Sequence, residues 1–163
     1  MPLFGSSRDF NYIKSINDEY IKKIVEQKIG YFKINNQLTD GNIYGESLNK
    51  IYNNPILIDC IISNLPQTAD VQVVLPTVNR NTTFNFFREH LVEINLFPEK
   101  GDIILWQNDY FEVYNVIENE YFVGKIPDYS YSTDTDNYGG SISIKLEAIY
   151  INPEKLPFKI ERI

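Results

Sequence analysis

Cysteine is almost missing from this chain: Cys60 is the only one in 163 residues. No intrachain disulfide can form, and a disulfide-stapled scaffold is excluded; folding in a reducing cytoplasm is the expectation. Histidine is equally scarce. His90 stands alone between Glu89 and Leu91, with no second histidine or cysteine at metal-ligand spacing, so it reads as a surface or satisfied side chain. Long apolar runs are absent as well: none approaches the ~20 residues of a membrane helix, and MPLFGSSRDF lacks the apolar core of a signal peptide. The expectation is a protein without a membrane partner. Positive charge is in short supply, with 15 Lys and Arg against 22 Asp and Glu, a formal charge of −7 and a pI near 4.7. That balance argues against a protein gripping phosphate backbones through a basic patch. Gly-rich phosphate loops, dinucleotide fingerprints and Ser or Cys nucleophile motifs are also lacking. No catalytic, cofactor-binding or metal-binding residue is nominated, and the chain reads as a non-enzyme.

Aromatic residues are plentiful: 12 Tyr and 10 Phe suit strands and contact surfaces. The length favours a single domain, 1–163, because halves would bury too little surface. Its parts are a helix over 8–28, a β core over 30–151 carrying a long loop at 126–140, and an extended tail over 152–163. In the helix, Phe10, Ile13, Ile16, Tyr20 and Ile24, with Ile21 and Val25, recur at helical spacing, opposite Asp18, Glu19, Lys22, Lys23 and Glu26. Such a helix packs on a core or docks on a neighbouring subunit. Gly30 is expected to end it. Tyr31 to Ile34 is extended and followed by a polar connection, then a loop with Tyr44, Gly45, Glu46 and Ser47.

From Pro55, ILIDCIIS alternates as one strand, placing Cys60 on the apolar side with Ile58 and Ile62. Pro66 to Asp70 reads as a loop, Val71 to Leu75 as a strand and Pro76 to Asn81 as a turn. In the strand Thr82 to Phe87, Phe84 and Phe86 point together. Arg88 to Asn95 fits a short helix that Pro98 stops. Gly101 to Lys125 (GDIILWQNDYFEVYNVIENEYFVGK) reads as a three-stranded meander with turns at Gln107-Asn108-Asp109 and Glu118-Asn119-Glu120 and a bulge near Tyr114. Its first strand, with Ile103 and Leu105 opposed to Ile104 and Trp106, is expected to be buried on both faces.

Beyond Pro127 the polar arm DYSYSTDTDNYGG carries Asp128, Tyr129, Tyr131, Asp134, Asp136 and Tyr138. Its Asp-x-Asp lacks the further acidic ligands of a calcium loop, so the arm is assigned to contact with a neighbour. Ser141 to Ile151 alternates cleanly, with Ile142, Ile144, Leu146 and Ala148 inward. The tail alternates Leu156, Phe158 and Ile160 with charged residues, and either rejoins its own sheet or adds a strand to another subunit. The expected fold is mainly β, an antiparallel barrel or sandwich of roughly six to nine strands with an N-terminal amphipathic helix.

Two stretches carry a resemblance. Gly101-Asp102-Ile103-Ile104, Trp106, Phe111-Glu112-Val113 and Tyr121-Phe122-Val123-Gly124-Lys125 form one; Tyr44-Gly45-Glu46-Ser47 followed by Lys50, Tyr52 and Pro55 forms the other. Together they resemble the neck, or head-closure, proteins of tailed bacteriophages. The resemblance implies a structural virion protein in the neck, without cofactor. It implies a dodecameric ring beneath the portal or a portal-bound adaptor, which closes the head and receives the tail or tail-terminator protein. Viral DNA would pass through the lumen without sequence-specific binding. The alternatives are a tail-side adaptor between neck and tail tube or sheath, and, lower, an accessory ligand-binding barrel. Candidate interaction residues are Tyr44, Gly45 and Glu46, the arm residues Asp128, Tyr129, Tyr131, Asp134, Asp136 and Tyr138, and Phe158 and Ile160 of the tail.

Overall fold

In the computed structural model, residues 7–39, 50–64, 68–70, 77–121 and 141–156 are described. The chain opens with helix α1 (Ser7–Glu19), which widens into a π-helical segment, Tyr20–Val25. The helix ends earlier than Gly30. Glu26 adopts a left-handed conformation (φ 48°) and its N–H reaches back to the Ile21 carbonyl at 3.1 Å, which closes the last turn. Gly30 instead lies inside strand β1 (Lys28–Phe32), opposite Leu57 on one side and Leu105 on the other.

The run read as one strand from Pro55 is two: β2 (Ile56–Asp59) pairs with β1, and β3 (Ile61–Asn64) pairs with β6 (Asn81–Phe87). Cys60 is the single residue between them, and its N–H leaves the ladders to bond Gln27 O at 3.0 Å. Thr68–Asp70 and Thr77–Asn79, expected in loop and turn, pair antiparallel as a separate two-stranded sheet, β4 and β5. The strand expected at Val71 to Leu75 lies outside the described residues. After β6, the short helix α2 (Arg88–Glu93) turns Leu91 inward.

β7 (Ile103–Trp106) and β8 (Asp109–Tyr121) form a hairpin whose loop is only Gln107 and Asn108, with φ of 50° and 67°. Two consecutive left-handed residues are the mark of a type I′ turn, whose twist matches that of the flanking strands. Glutamine is a poor choice there. Changing Gln107→Asn together with Asn108→Gly is expected to raise stability by about 1 kcal/mol. Urea unfolding checks it; a lower midpoint would show that the native pair makes compensating contacts.

The second turn of the expected meander is not formed. β8 runs through Glu118-Asn119-Glu120 to Tyr121, absorbing the extra residues as register shifts against β9 (Ser141–Ile151). The bulge expected near Tyr114 is present, between Val113 and Asn115. The main sheet has seven strands in the order β2-β1-β7-β8-β9-β6-β3, all antiparallel. No ladder joins β2 to β3, so the sheet is not closed. Its two edges are nonetheless consecutive in the chain, hinged at Cys60, and the sheet curls into a sandwich-like form around its largest buried cluster.

That core takes Tyr31 from β1, Phe84 and Phe86 from β6, Ile104 and Trp106 from β7, Phe111 and Val113 from β8, and Leu146 and Ala148 from β9. Ile103 faces the other way, into a second cluster with Phe32, Tyr110 and Leu156. β7 is therefore covered on both faces, as its doubly apolar pattern requires. α1 covers a third cluster, Ile13 and Ile21 against Phe87, Ile142 and Ile61. No helix among the described residues is long and apolar enough to cross a membrane.

Candidate interaction surface

The segment after β1 is built around one buried carboxyl. Asp102 is fully inaccessible, and its oxygens accept from the Ile34 N–H at 2.8 Å, the Glu99 N–H at 2.7 Å and the Tyr31 hydroxyl. A buried carboxyl is tolerated when donors surround it in this way. Burial first, then the Asp102 charge, drives the Tyr31 phenol far above its usual range, which keeps its proton on the hydroxyl as a donor. The loop before Asp102 is a β-turn closed by Asp102 N–H to Glu99 O at 3.3 Å, with Gly101 at φ 92° in the position that needs a positive φ. Asp102 O also accepts from Val113 N–H at 2.9 Å.

Around this pin lies a polar platform. Lys33 Nζ donates to Phe97 O and to Glu99 Oε1, the latter at 2.9 Å, and Asn36 donates to Glu99 Oε2 at 3.0 Å. The Lys33 hydrogen bond holds the Glu99 carboxyl below the usual carboxylate range. Asn35 Oδ1 accepts from the N–H groups of Gln37 and Leu38, while Asn35 N–H bonds Ile51 O at 2.8 Å and Ile51 N–H bonds Thr39 Oγ1 at 3.1 Å. Thr39 and Ile51 are thus held together at the root of the segment 40–49. Three apolar side chains stand exposed on the platform: Leu38, Ile51 and Phe97.

The two stretches that carry the sequence resemblance meet here. Lys50 pairs with Glu112 of the Phe111-Glu112-Val113 run at 2.7 Å, and the Tyr52 hydroxyl donates to Gly101 O at 3.4 Å. Burial pushes the Tyr52 phenol up to about 12, with Glu112 and Asp102 adding to it. Residues separated by some 60 positions therefore form one joint.

Tyr44, Gly45, Glu46, Asp128, Tyr129, Tyr131, Asp134, Asp136, Tyr138, Phe158 and Ile160 all lie outside the described residues. What the structure does place is the root of the Tyr44 loop.

A second exposed apolar feature was not foreseen. Residues Ile16, Tyr20 and Ile24, read as part of the helix's core-facing side, point outward with Tyr12, and Ile24 is 69% exposed. Among the described side chains of the helix, Ile13 and Ile21 dock on the sheet. The spacing of Tyr12, Ile16, Tyr20 and Ile24, every fourth residue, was the available signal for two separate stripes.

Cys60 is fully buried, and desolvation, with Asp59 adding to it, raises its thiol to about 12, which fits the small core hydrophobe read from sequence. His90 is half-buried, in a polar cleft of about 300 Å³ between α1 and α2 that also exposes Lys14, Asp18, Lys22, Glu89 and Glu93. Among the described residues, no group of three His, Cys, Asp or Glu side chains is placed to hold a metal ion.

The fold is an antiparallel, sandwich-like β module with an N-terminal helix, and its described residues expose apolar side chains on the helix and beside the Asp102 turn. No family model matches the chain, and no curated protein matches it.

Proposed function

We propose that this chain is a structural subunit of a tailed-phage neck, assembling as a ring beneath the portal to close the filled head and present a surface to the tail. The observation that carries the reading is the joint between the two motif stretches. Lys50 and Tyr52 bond Glu112 and Gly101, and the Gly101-Asp102 pair that defines the longer motif pins the platform from which the segment 40–49 springs. Motif residues used in this way act as a structural joint between β1, the segment at Ile51 and Tyr52, and the β7–β8 hairpin. A β module whose described residues expose apolar side chains on more than one element suits a ring subunit, which meets neighbours through different surfaces. The −7 charge is compatible with a lumen past which DNA slides.

Native mass spectrometry of the protein with the portal protein of the same genome tests the reading. The expected outcome is a stoichiometric ring on the portal or on a portal-bound adaptor ring. Association with tail proteins alone would transfer the assignment to a tail-side adaptor, and association with neither would overturn it.

A further inference from the structure

We infer that the segment after Leu156 is a strap on its own chain: it continues across the outer face of the sheet and seats Phe158 in the slot above Gly30, between Leu57 and Leu105. The inference does not depend on the neck reading.

Strand register defines the slot. Gly30 of β1 stands directly opposite Leu57 of β2 on one side and Leu105 of β7 on the other, so the three share one face, the one turned away from the main core. Two residues along, Phe32 and Ile103 are paired on that same face and are buried there with Tyr110 and Leu156. Leu105 packs against this cluster and is half-buried, whereas Leu57, on the edge strand, is 74% exposed. Between them Gly30 leaves a gap one side chain wide. Neither its backbone nor its neighbours require a glycine: its φ is not positive, and a Cβ would lie 3.5 Å from Leu105 Cβ, an ordinary contact. An interior strand glycine that its own sheet does not need marks the close approach of something from outside the sheet.

The path of the chain names the occupant. Ile151 ends β9, opposite Tyr110 of β8, and after the turn at Pro153–Lys155 the next residue, Leu156, is buried with residues of β8, β7 and β1. The return has therefore left β9 and crosses the face toward β2, the edge that carries Leu57. Tyr52, bridged to Ile34 two residues beyond Phe32, packs against the cluster from the other end, so the Gly30 row is the side still open. Leu156 is extended, with φ −85° and ψ 140°, the form a residue before proline prefers, and the fixed φ of Pro157 suits continued extension. In extended chain Phe158 is the next side chain on the Leu156 side, about 7 Å further on, and adjacent strands lie about 4.8 Å apart. Two residues thus carry the chain from the cluster to the Gly30 row without another turn. Ile160, one more step along, lies against Leu57 at the edge, while Lys159 and Glu161 face water.

The test uses the full chain with cysteine pairs. Leu57→Cys is combined with Phe158→Cys, or with Lys159→Cys one position on, and each dilute protein is treated with dibromobimane, which fluoresces when it bridges two thiols. Cys60 is buried and its thiol is pushed up to about 12, so it gives no background. The expected result is an intrachain 57-to-158 product at least about tenfold above 57-to-159, because alternate residues of an extended strap face opposite ways. Equal yields would show a tethered segment that does not dock and would overturn the proposal. A 57-to-158 product formed mainly between chains would overturn it in favour of a tail exchanged with a second copy. Alkylation of Leu57→Cys alone gives a second reading that does not depend on crosslink geometry. With Phe158 in place it is expected to run about tenfold slower than in the same variant carrying Phe158→Asp, since the strap must lift before the thiol reacts; equal rates would overturn the proposal.

Discussion

Asp102→Ala is expected to destabilise the protein by about 3–5 kcal/mol, because three donors lose their shared acceptor at about 1–3 kcal/mol each. The substitution strands three donors in a place water does not reach: the Ile34 and Glu99 N–H groups and the Tyr31 hydroxyl. Each belongs to a different segment, so the damage spreads. Tyr31 is in β1, Ile34 is the first residue to bridge toward Tyr52, and Glu99 anchors Lys33 and Asn36. Asp102→Asn keeps the volume and one acceptor oxygen but turns an amide NH₂ toward existing donors, and about half the loss is expected. Tyr31→Phe removes one bond and leaves the two backbone donors satisfied, so it should cost least of the three. Urea unfolding gives the order, and hydrogen exchange at Ile34 and Glu99 shows whether the platform opens before the rest of the sheet. If Asp102→Ala lost under 1 kcal/mol, the carboxyl would not be the pin.

The elements that were legible in the sequence are those whose signal is local. The β7–β8 hairpin is announced by two polar residues between apolar runs. β9 is announced by Ile142, Ile144, Leu146 and Ala148 at every second position, all buried. The double burial of β7 follows from an apolar residue at each of its four positions. What escaped depends on distant partners. Glu118-Asn119-Glu120 has the composition of a turn, but β9 is long enough to keep β8 extended past it, so the same residues become a bulge. Cys60 interrupts a strand for no local reason: the residues before it find β1 and those after it find β6, on opposite edges of the sheet. Helical periodicity identified the apolar positions of α1 but not which stripe meets the sheet. Ile13 and Ile21 dock because Phe87 and Ile142 lie beneath them. The platform was the least legible feature, since Asp102 finds Tyr31 and Ile34 across about 70 residues and nothing in Gly-Asp-Ile-Ile states that its aspartate is buried.

Phe111→Ala is expected to match the Asp102 loss, at about 3–5 kcal/mol, by a different route. Phe111 is completely buried, and its ring lies 5.7 Å from Phe84, 6.0 Å from Trp106 and 6.2 Å from Tyr150, centroid to centroid. These four rings come one each from β6, β7 and β8 and from the end of β9, so one side chain touches three neighbouring strands of the curled sheet. Alanine removes the apolar area and leaves a void that Phe84 and Trp106, braced against each other at 6.2 Å, cannot collapse to fill. Phe111→Leu refills part of the void and should recover more than half of the loss. Phe84→Ala opens the same space from the facing side, so the double variant should depart from the sum of the single losses by at least about 0.5 kcal/mol. Additive losses would mean that the rings are independent contacts and not one packed unit. Trp106 is the only tryptophan in the chain and sits against both rings, so its emission reports the site directly. A red shift in folded Phe111→Ala would place water in the void; an unshifted spectrum with the full stability loss would show that the cavity stays dry and that lost packing alone accounts for the cost.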